Sequence, residues 1–188
     1  MDEFEKVKLI VVNRLSGLSP DLIYHCLDHT LDVLEQSIRI ANEEQISNCR
    51  DLYLLKIAAL YHDTGFLETY AAHEIKSCEI FLADADQFKL TEDEIDVITN
   101  LIMATRIPQL PETQLEKIIC DADLDYLGRD DFFMISDNLR KEFLRYNIVA
   151  DDEEWEQMQL KFLQNHQYHT QSSQKLREPF KQLNYARL

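Results

Sequence analysis

The feature that most constrains the fold is an apolar run from Leu52 to Tyr61 that ends directly in the pair His62-Asp63. A helix that is apolar on nearly every side has to be buried inside a protein. An imidazole and a carboxylate at its end would cost several kcal/mol to desolvate without partners. Two arrangements would give both the imidazole and the carboxylate a partner. Either a divalent metal binds between them, or the histidine caps the helix and the aspartate opens the next turn.

The scarcity of chain-breaking residues predicts a helical protein. The 188 residues include only three glycines and four prolines. No segment alternates polar and apolar side chains in the way that a half-buried strand would. The length suits one domain with a sizeable core. We therefore predict an all-α, single-domain fold over residues 1–188.

Periodicity and capping signals predict the positions of the helices. The first spans 2–15, and the second begins at Ser19-Pro20-Asp21, an N-cap followed by an N1 proline and an acidic first turn, and runs to about Ala41. A capping box opens a helix at Thr91 that ends near Ala104, and Gly128 is predicted as a C′ residue. The remaining helices are predicted at about 50–62, 71–84, 112–127, 130–148 and 152–176.

The net charge of −16 excludes several classes of partner. Such a surface repels nucleic acid backbones and anionic membranes, so we expect neither as a partner. A small anionic substrate stays compatible if a metal and a few basic side chains reverse the potential locally. The N-terminal sequence is not a signal peptide and no apolar run is long enough to span a membrane, so we expect a cytoplasmic protein. Four scattered cysteines without a C-x-x-C pair agree with a reducing compartment.

Two further clusters carry candidate metal ligands. His25 and His29 are four residues apart in the predicted second helix, which would put both imidazoles on one face, where one could bind a metal and the other lie beside it. They could equally be surface residues opposite the apolar stripe. The second cluster consists of Asp121, Asp123 and Asp125. In a helix, Asp121 and Asp125 would share a face, and Asp123 would point the other way. Apolar neighbours place at least one of these carboxylates near the core, where charged groups usually coordinate or pair.

Taken in order, these elements resemble the HD-domain superfamily of metal-dependent phosphohydrolases. The strings YHCLDHT, AALYHDTGF, HEIKSCEI and DADLDYLGR are together similar to a bacterial subgroup of predicted HD phosphohydrolases. The resemblance covers roughly residues 20–130, which makes residues 131–188 a C-terminal helical extension of an HD-type bundle. YHCLDHT also parallels an element of the cyclic nucleotide phosphodiesterases, with Cys26 where those enzymes have asparagine.

The resemblance implies a role for individual residues. His29, His62, Asp63 and Asp123 would ligate the metal, with Asp121 as the next choice for the last ligand. His25 would protonate the leaving oxygen, and Asp63 or Asp123 would orient the attacking water. Mixed histidine and aspartate ligands favour Mn, Fe, Co, Ni or Zn over Mg. The segment 103–106 has no histidine for a second ion, so a single metal is expected.

Phosphate binding by so acidic a protein would need local cations. Arg106 and Arg129 are candidates because a guanidinium binds phosphate bidentately, although a salt bridge is the commoner role of an arginine. Lys76 is a further candidate. His73, which begins the helix after the His-Asp pair, could be another ligand, a phosphate donor or a solvent-exposed first-turn residue. We assign packing or surface roles to Trp155, His166 and His169.

We therefore predict hydrolysis of a small phosphomonoester or phosphodiester, with a nucleotide-like substrate. The alternative is a non-catalytic HD module that binds a nucleotide or a metal as a signal. Turnover of a phosphate ester distinguishes the two, since fold resemblance does not fix a substrate.

Overall fold

The computed structural model describes residues 2–188 and shows helices with no strand in that range, which confirms the predicted all-α fold. Two short 3₁₀ turns, at Thr64–Leu67 and Asp125–Gly128, follow the third and sixth α-helices. The α-helices are α1 (Glu3–Leu15), α2 (Leu27–Glu43), α3 (Cys49–Tyr61), α4 (His73–Ala85), α5 (Glu92–Ala104), α6 (Gln114–Asp123), α7 (Phe132–Arg145), α8 (Asp152–Asn165) and α9 (Gln171–Tyr185).

The apolar helix α3 lies at the centre of the bundle. Its residues from Ile57 to Tyr61 are completely buried, and it packs against α1, α2 and α5. Lys56 is the one charged residue in the apolar run, and its ammonium lies 3.5 Å from the centre of the Phe4 ring near the surface. The predicted burial of this helix is confirmed. Its C-terminal end, and therefore the His-Asp pair, is fixed deep inside the protein.

The second helix begins at Leu27, so the predicted start at Ser19-Pro20-Asp21 is wrong. The backbone N–H groups of Tyr24 and His25 donate to the buried carboxylate of Glu142, at 2.8 and 3.1 Å. This long-range pairing holds the segment before the helix in a non-helical conformation. Cys26 is extended and serves as the N-cap.

His25 and His29 consequently do not share a helix face. His25 lies in the segment before α2 and His29 lies in its first turn. Their rings still come close, with centroids 6.0 Å apart. The two imidazoles are therefore neighbours without sharing the predicted helix face.

The predicted helix at 152–176 is two helices, α8 and α9. The carboxylate of Asp121 accepts hydrogen bonds from the backbone N–H groups of His169 and Thr170, both at 2.8 Å, and holds the segment between the helices away from helical geometry. The Thr170 hydroxyl then caps α9 by accepting from the N–H of Ser173. Because Asp121 is distant in sequence, local periodicity could not indicate this break.

The chain after α6 also differs from the prediction of a helix to 127. The α-helix ends at Asp123, and the chain then forms a 3₁₀ turn that contains Gly128. Gly128 is not a left-handed C′ residue, because its φ is not positive. A Cβ atom there would lie 2.3 Å from the carbonyl oxygen of Arg177, so the glycine permits α9 to pack closely on the turn.

Helices α7 and α8 pack on one side of the bundle through a second apolar cluster. This cluster joins the turn after α6 to α7 and α8, and its buried members are Tyr24, Leu124, Tyr126, Leu127, Phe132 and Leu163. Since Tyr24 precedes His25, the cluster links the C-terminal helices to the segment that carries a candidate catalytic residue. The C-terminal part of the chain therefore forms one side of the site described next.

Candidate metal centre

The His-Asp pair is held by hydrogen bonds that follow directly from the end of α3. Nδ1 of His62 is 2.9 Å from the carbonyl oxygen of Ala59, to which it donates, and this leaves Nε2 free as a ligand atom. Ser77 of α4 donates its hydroxyl to the His62 carbonyl oxygen at 2.7 Å and accepts from the N–H of Gly65 at 2.8 Å. Outer hydrogen bonds of this kind fix the orientation of metal-binding imidazoles.

Gly65 permits α4 to pack closely on this turn. A Cβ atom at this position would lie 2.0 Å from the carbonyl oxygen of His73 and 2.9 Å from the backbone nitrogen of Ser77. We expect Gly65→Ala to lower the free energy of unfolding by roughly 2–4 kcal/mol, because backbone atoms would have to move. Urea unfolding measures this loss.

Gly17→Ala is the matched control for this substitution. Its Cβ atom would approach only the Arg14 carbonyl oxygen, at 3.2 Å, and a leucine side chain at 3.6 Å. We expect a change of less than about 1 kcal/mol there. Equal stabilities of the two variants would contradict the close packing of α4 on the turn.

Four side chains meet at the end of α3: one from α2, one from the end of α6, and two from the residues that directly follow α3. Nε2 of His29 lies 3.4 Å from Nε2 of His62. Oδ2 of Asp63 lies 3.3 Å from the first nitrogen and 3.2 Å from the second. Oδ1 of Asp123 lies 3.2 and 3.6 Å from the same two nitrogens. The structure therefore brings together all four residues that the resemblance implies as ligands.

These donors fit a divalent metal. Ligand atoms held about 2.0–2.2 Å from one ion are separated from their neighbours by about 2.8–3.6 Å, which matches the separations between the imidazole nitrogens and the carboxylate oxygens. The ligand atoms of His29, His62 and Asp123 lie within 4.8 Å of one another. Oδ2 of Asp63 is buried and has no hydrogen-bond partner within the described chain. A cation between these groups would satisfy that orphaned oxygen.

The charges of the cluster reinforce one another. Burial disfavours a charge on His29, but the nearby carboxylates of Asp123 and Asp63 outweigh burial and raise its pKa to about 9. Burial likewise opposes the charge on His62, and Asp63 and Asp123 raise its pKa well above the usual value. Although burial works in the opposite direction, the two imidazoles lower the pKa of Asp123 to about 2. A divalent cation satisfies the same carboxylates, and its binding would displace these protons.

The other two aspartates near Asp123 bind partners outside the four-residue cluster. Asp121 is fully buried and its carboxylate binds the segment before α9, as described above. Asp125 accepts from the guanidinium groups of Arg39 and Arg177, at 2.6 and 2.9 Å, and ties α2 and α9 to the turn after α6. Of the three aspartates in this cluster, Asp123 is the one that reaches the two histidines.

His25 faces the same cavity and is held by a buried carboxylate. Nδ1 of His25 is hydrogen-bonded to Oε1 of Glu142, a residue that is completely buried in α7. Tyr70 donates its hydroxyl to the same oxygen at 2.9 Å. Burial raises the pKa of Glu142, but the hydrogen bonds from His25 and from the backbone of Tyr24 and His25 outweigh it and lower the pKa below its usual value. Glu142 therefore remains a carboxylate and fixes the His25 ring.

Sequence reasoning did not identify Glu142. The residue lies three positions after Leu139, on the inward stripe of α7, so a charge at an apolar position was the available signal. Its partner at His25 is 117 positions away in sequence, and no local pattern connects the two.

His73 also belongs to the site. Its Nε2 lies 3.2 Å from Oδ1 of Asp63, the oxygen that faces away from His29 and His62. The ring of Phe66 stacks on both His73 and His25, with centroid distances of 4.0 and 4.1 Å, and the centroids of the two imidazoles are 6.1 Å apart. Of the predicted alternatives for His73, the solvent-exposed first-turn residue does not agree with its position against Asp63.

The three predicted phosphate-binding cations lie elsewhere. Arg129 pairs with Asp32 and Asp131, with the shortest contacts at 2.7 and 2.6 Å. Lys76 pairs with two glutamates on the surface. Arg106 is exposed after the end of α5. None of the three lines the cavity at the four-residue cluster, so their predicted role has no support in this geometry.

The cavity has a volume of about 390 Å³. Five carboxylate and imidazole side chains line it, together with apolar residues from α7, α8 and the segment between α6 and α7. The five are His25, Asp63, His73, Glu74 and Asp123. A small molecule in this cavity would contact both the cluster and His25.

Comparison with known proteins identifies the family. The family model described as HD domain matches residues 26–125, which is more than half of the chain and contains all four residues of the cluster. No curated protein and no solved structure matches the chain significantly. The chain belongs to the HD domain family. Its members are generally metal-dependent hydrolases that bind divalent metals, and this agrees with the predicted HD-type bundle.

Among residues 2–188, no helix is both long enough and apolar enough to cross a membrane.

Proposed function

We propose that this chain is a metal-dependent phosphohydrolase that cleaves a small phosphomonoester or phosphodiester. One observation carries the proposal. Oδ2 of Asp63 and Oδ1 of Asp123 each lie 3.2–3.6 Å from the Nε2 atoms of His29 and His62, and a third histidine, held by a buried glutamate, faces the same cavity. A purely structural His-Asp pair would not explain an orphaned buried carboxylate oxygen beside two imidazoles.

His29, His62, Asp63 and Asp123 would hold one divalent ion. A bound ion of this kind acts as a Lewis acid that polarises a phosphoryl oxygen and makes water a stronger acid. The mixed nitrogen and oxygen ligands favour Mn, Fe, Co, Ni or Zn over Mg. Among residues 2–188, one group of three or more potential ligands, that of His29, His62 and Asp123, is close enough to share an ion, so we propose a single ion.

The side chains of the site have separate tasks in hydrolysis. The reaction breaks the bond from phosphorus to the leaving oxygen and forms a bond from phosphorus to a water oxygen. Asp63, which lines the cavity, orients the water as a hydrogen-bond acceptor, and the proton that the water loses passes to solvent, from which His25 is reprotonated after each turnover. His25 donates the proton that the leaving oxygen takes up, and Glu142 keeps its ring in position. The products are an alcohol and phosphate, or a phosphomonoester from a diester.

The expected partner is a small anionic molecule that carries a phosphate group. The nucleotide-like substrate expected from the sequence is included in the test below, because a nucleoside monophosphate is of a size that a pocket at the lower end of the usual range of about 300–1,000 Å³ accepts. The high net negative charge of the chain argues against nucleic acid polymers and anionic membranes as partners.

A metal-reconstitution assay tests this function. The protein is stripped with a chelator, reloaded with Mn, Fe, Co, Ni, Zn or Mg, and incubated with nucleotides and simple phosphomonoesters and diesters. We expect phosphate or alcohol release with at least one transition metal and less with Mg. Tight metal binding without turnover of any ester would favour the alternative, a non-catalytic module that binds a metal or nucleotide as a signal.

A further inference from the structure

We propose that the cavity selects phosphate esters of apolar alcohols, and that its walls on α7 and α8 bind a hydrocarbon or aromatic group. This inference rests on the proposed phosphohydrolase function, because it assumes that the phosphate lies at the four-residue cluster. Phosphate esters of apolar alcohols are a different class of substrate from the nucleotides expected from the sequence.

The part of the cavity beyond the cluster is built almost entirely from apolar side chains. They come from α7, α8 and the segment between α6 and α7, and most of them lie after residue 125, where the match to the HD domain ends. This wall, which we call the apolar chamber, is formed by Leu124, Tyr126, Leu127, Phe132, Leu139, Phe143, Trp155, Met158, Phe162 and Leu163. The metal cluster and the chamber thus come from different parts of the chain.

Two polar side chains that line the cavity beside the chamber, Gln159 and Thr105, already donate hydrogen bonds within the protein. The side-chain amide of Gln159 donates to the hydroxyl of Ser136. The hydroxyl of Thr105 donates to the carbonyl oxygen of Ile102 at 2.8 Å. The hydroxyls of a ribose and the polar edge of a nucleobase would find few free partners here, and burying them unpaired is unfavourable.

The charged residues that line the cavity also favour an ester of an uncharged alcohol. Neither lysine nor arginine lines it, whereas Asp63, Glu74 and Asp123 do. A single phosphate can be neutralised by a divalent ion at the cluster. A second phosphate in the chamber would meet apolar walls and, near His73, the carboxylate of Glu74. A monoester whose alcohol is uncharged and apolar fits these walls best.

The volume limits the size of the alcohol. At the packing density of protein interiors, a phosphate group together with roughly eight to twelve carbon atoms fills most of a cavity of about 390 Å³. Each methylene group that becomes buried is expected to strengthen binding by about fourfold. Affinity and kcat/KM should therefore rise with chain length and level off when the chamber is full.

Trp155 offers a binding assay that does not depend on turnover. It is the single tryptophan of the chain, it lines the chamber and only 6% of it is exposed. The metal-loaded protein is titrated with ethyl-, butyl-, hexyl- and octylphosphonate while its tryptophan fluorescence is recorded. We expect Kd to fall by about two- to fourfold per added methylene. A Kd that is independent of chain length would overturn the inference.

Hydrolysis of a matched panel supplies the second readout. Ethyl, hexyl and naphthyl phosphate are compared with adenosine 5′-monophosphate under the same metal. We expect kcat/KM for hexyl and naphthyl phosphate to exceed that for ethyl phosphate and for the nucleotide by at least about tenfold. A nucleotide that is the best substrate would overturn the inference and leave the phosphohydrolase function intact. Chain-length-dependent phosphonate binding without hydrolysis of any ester would support the chamber and contradict the phosphohydrolase function.

Two variants of α8 localise the effect. Met158 lines the chamber and is 36% exposed, whereas Leu160 is 37% exposed and lies outside it. We expect Met158→Gln to lower the preference for hexyl over ethyl phosphate by about tenfold. Leu160→Gln should retain the wild-type preference. Equal preferences in the two variants would overturn the assignment of the chamber to the alcohol group.

Discussion

Replacing His25 with alanine is expected to lower kcat by about 10²–10⁴-fold while the protein keeps its metal. His25 lines the cavity and is bound by Glu142 through Nδ1, so Nε2 is the atom available to protonate a leaving oxygen. It does not reach the point where the ligand atoms of His29, His62 and Asp123 meet. Steady-state kinetics on the best ester, together with metal analysis of the same sample, measure both quantities.

Two further variants sharpen this test. His169→Ala removes an imidazole that does not line the cavity, and wild-type kcat is expected. Glu142→Gln keeps the shape of the side chain but removes its charge. We expect a smaller loss of kcat than for His25→Ala, with little change in KM and an altered pH dependence of kcat, because Glu142 does not line the cavity and affects the reaction through His25. Loss of metal from His25→Ala would make this residue a ligand and contradict its assignment as the acid.

Replacing Asp123 with asparagine is expected to weaken metal binding by at least about 10³-fold. Outer hydrogen-bond partners of a metal site contribute about 10- to 100-fold to affinity, and a direct ligand contributes more. In the wild-type protein, metal at 100 times its Kd adds about 2.7 kcal/mol to stability. For a chain of this length, that corresponds to a rise in Tm of roughly 5–10 °C, which the variant should lack.

Asp121→Asn is the matched control, two positions away on the same helix. Asp121 binds the segment before α9 and does not reach the histidines, so this variant should be less stable but should still bind the metal. A calorimetric titration of both variants with Mn²⁺ separates the two roles. If Asp121→Asn loses the metal and Asp123→Asn keeps it, our choice between the two aspartates is wrong.

Local signals predicted most of the helices. The capping box at Thr91 and the end of that helix at Ala104 agree with the structure. The burial of α3 followed from its apolar run, because a helix without a polar face has no stable position except the interior. Periodicity and caps are properties of neighbouring residues, and a single sequence displays them directly.

Interactions between distant residues account for the errors. The start of α2 depends on Glu142, and the break before α9 depends on Asp121. In both cases a buried carboxylate binds backbone N–H groups that a helix would otherwise use, and neither pairing leaves a local signal. The His62-Asp63 pair is local in sequence and could be predicted. Glu142 and the apolar chamber depend on contacts between distant residues, so they could not.

The origin of the metal-site prediction differs from residue to residue. His62 and Asp63 followed from the physical cost of a polar pair at the end of a buried helix. The choice of Asp123 from three aspartates came from the resemblance, since spacing alone left that choice open. The structure places Asp123 beside the histidines because α6 ends there and packs against α2.

Anomalous scattering from crystals grown with one equivalent of Mn²⁺ or Zn²⁺ tests the central claim most directly. We predict one strong peak about 2.0–2.4 Å from Nε2 of His29 and His62 and from a carboxylate oxygen of Asp63 and Asp123. A peak at any other place, or ordered crystals of metal-treated protein with no peak at these four side chains, would contradict the metal centre and the hydrolase built on it.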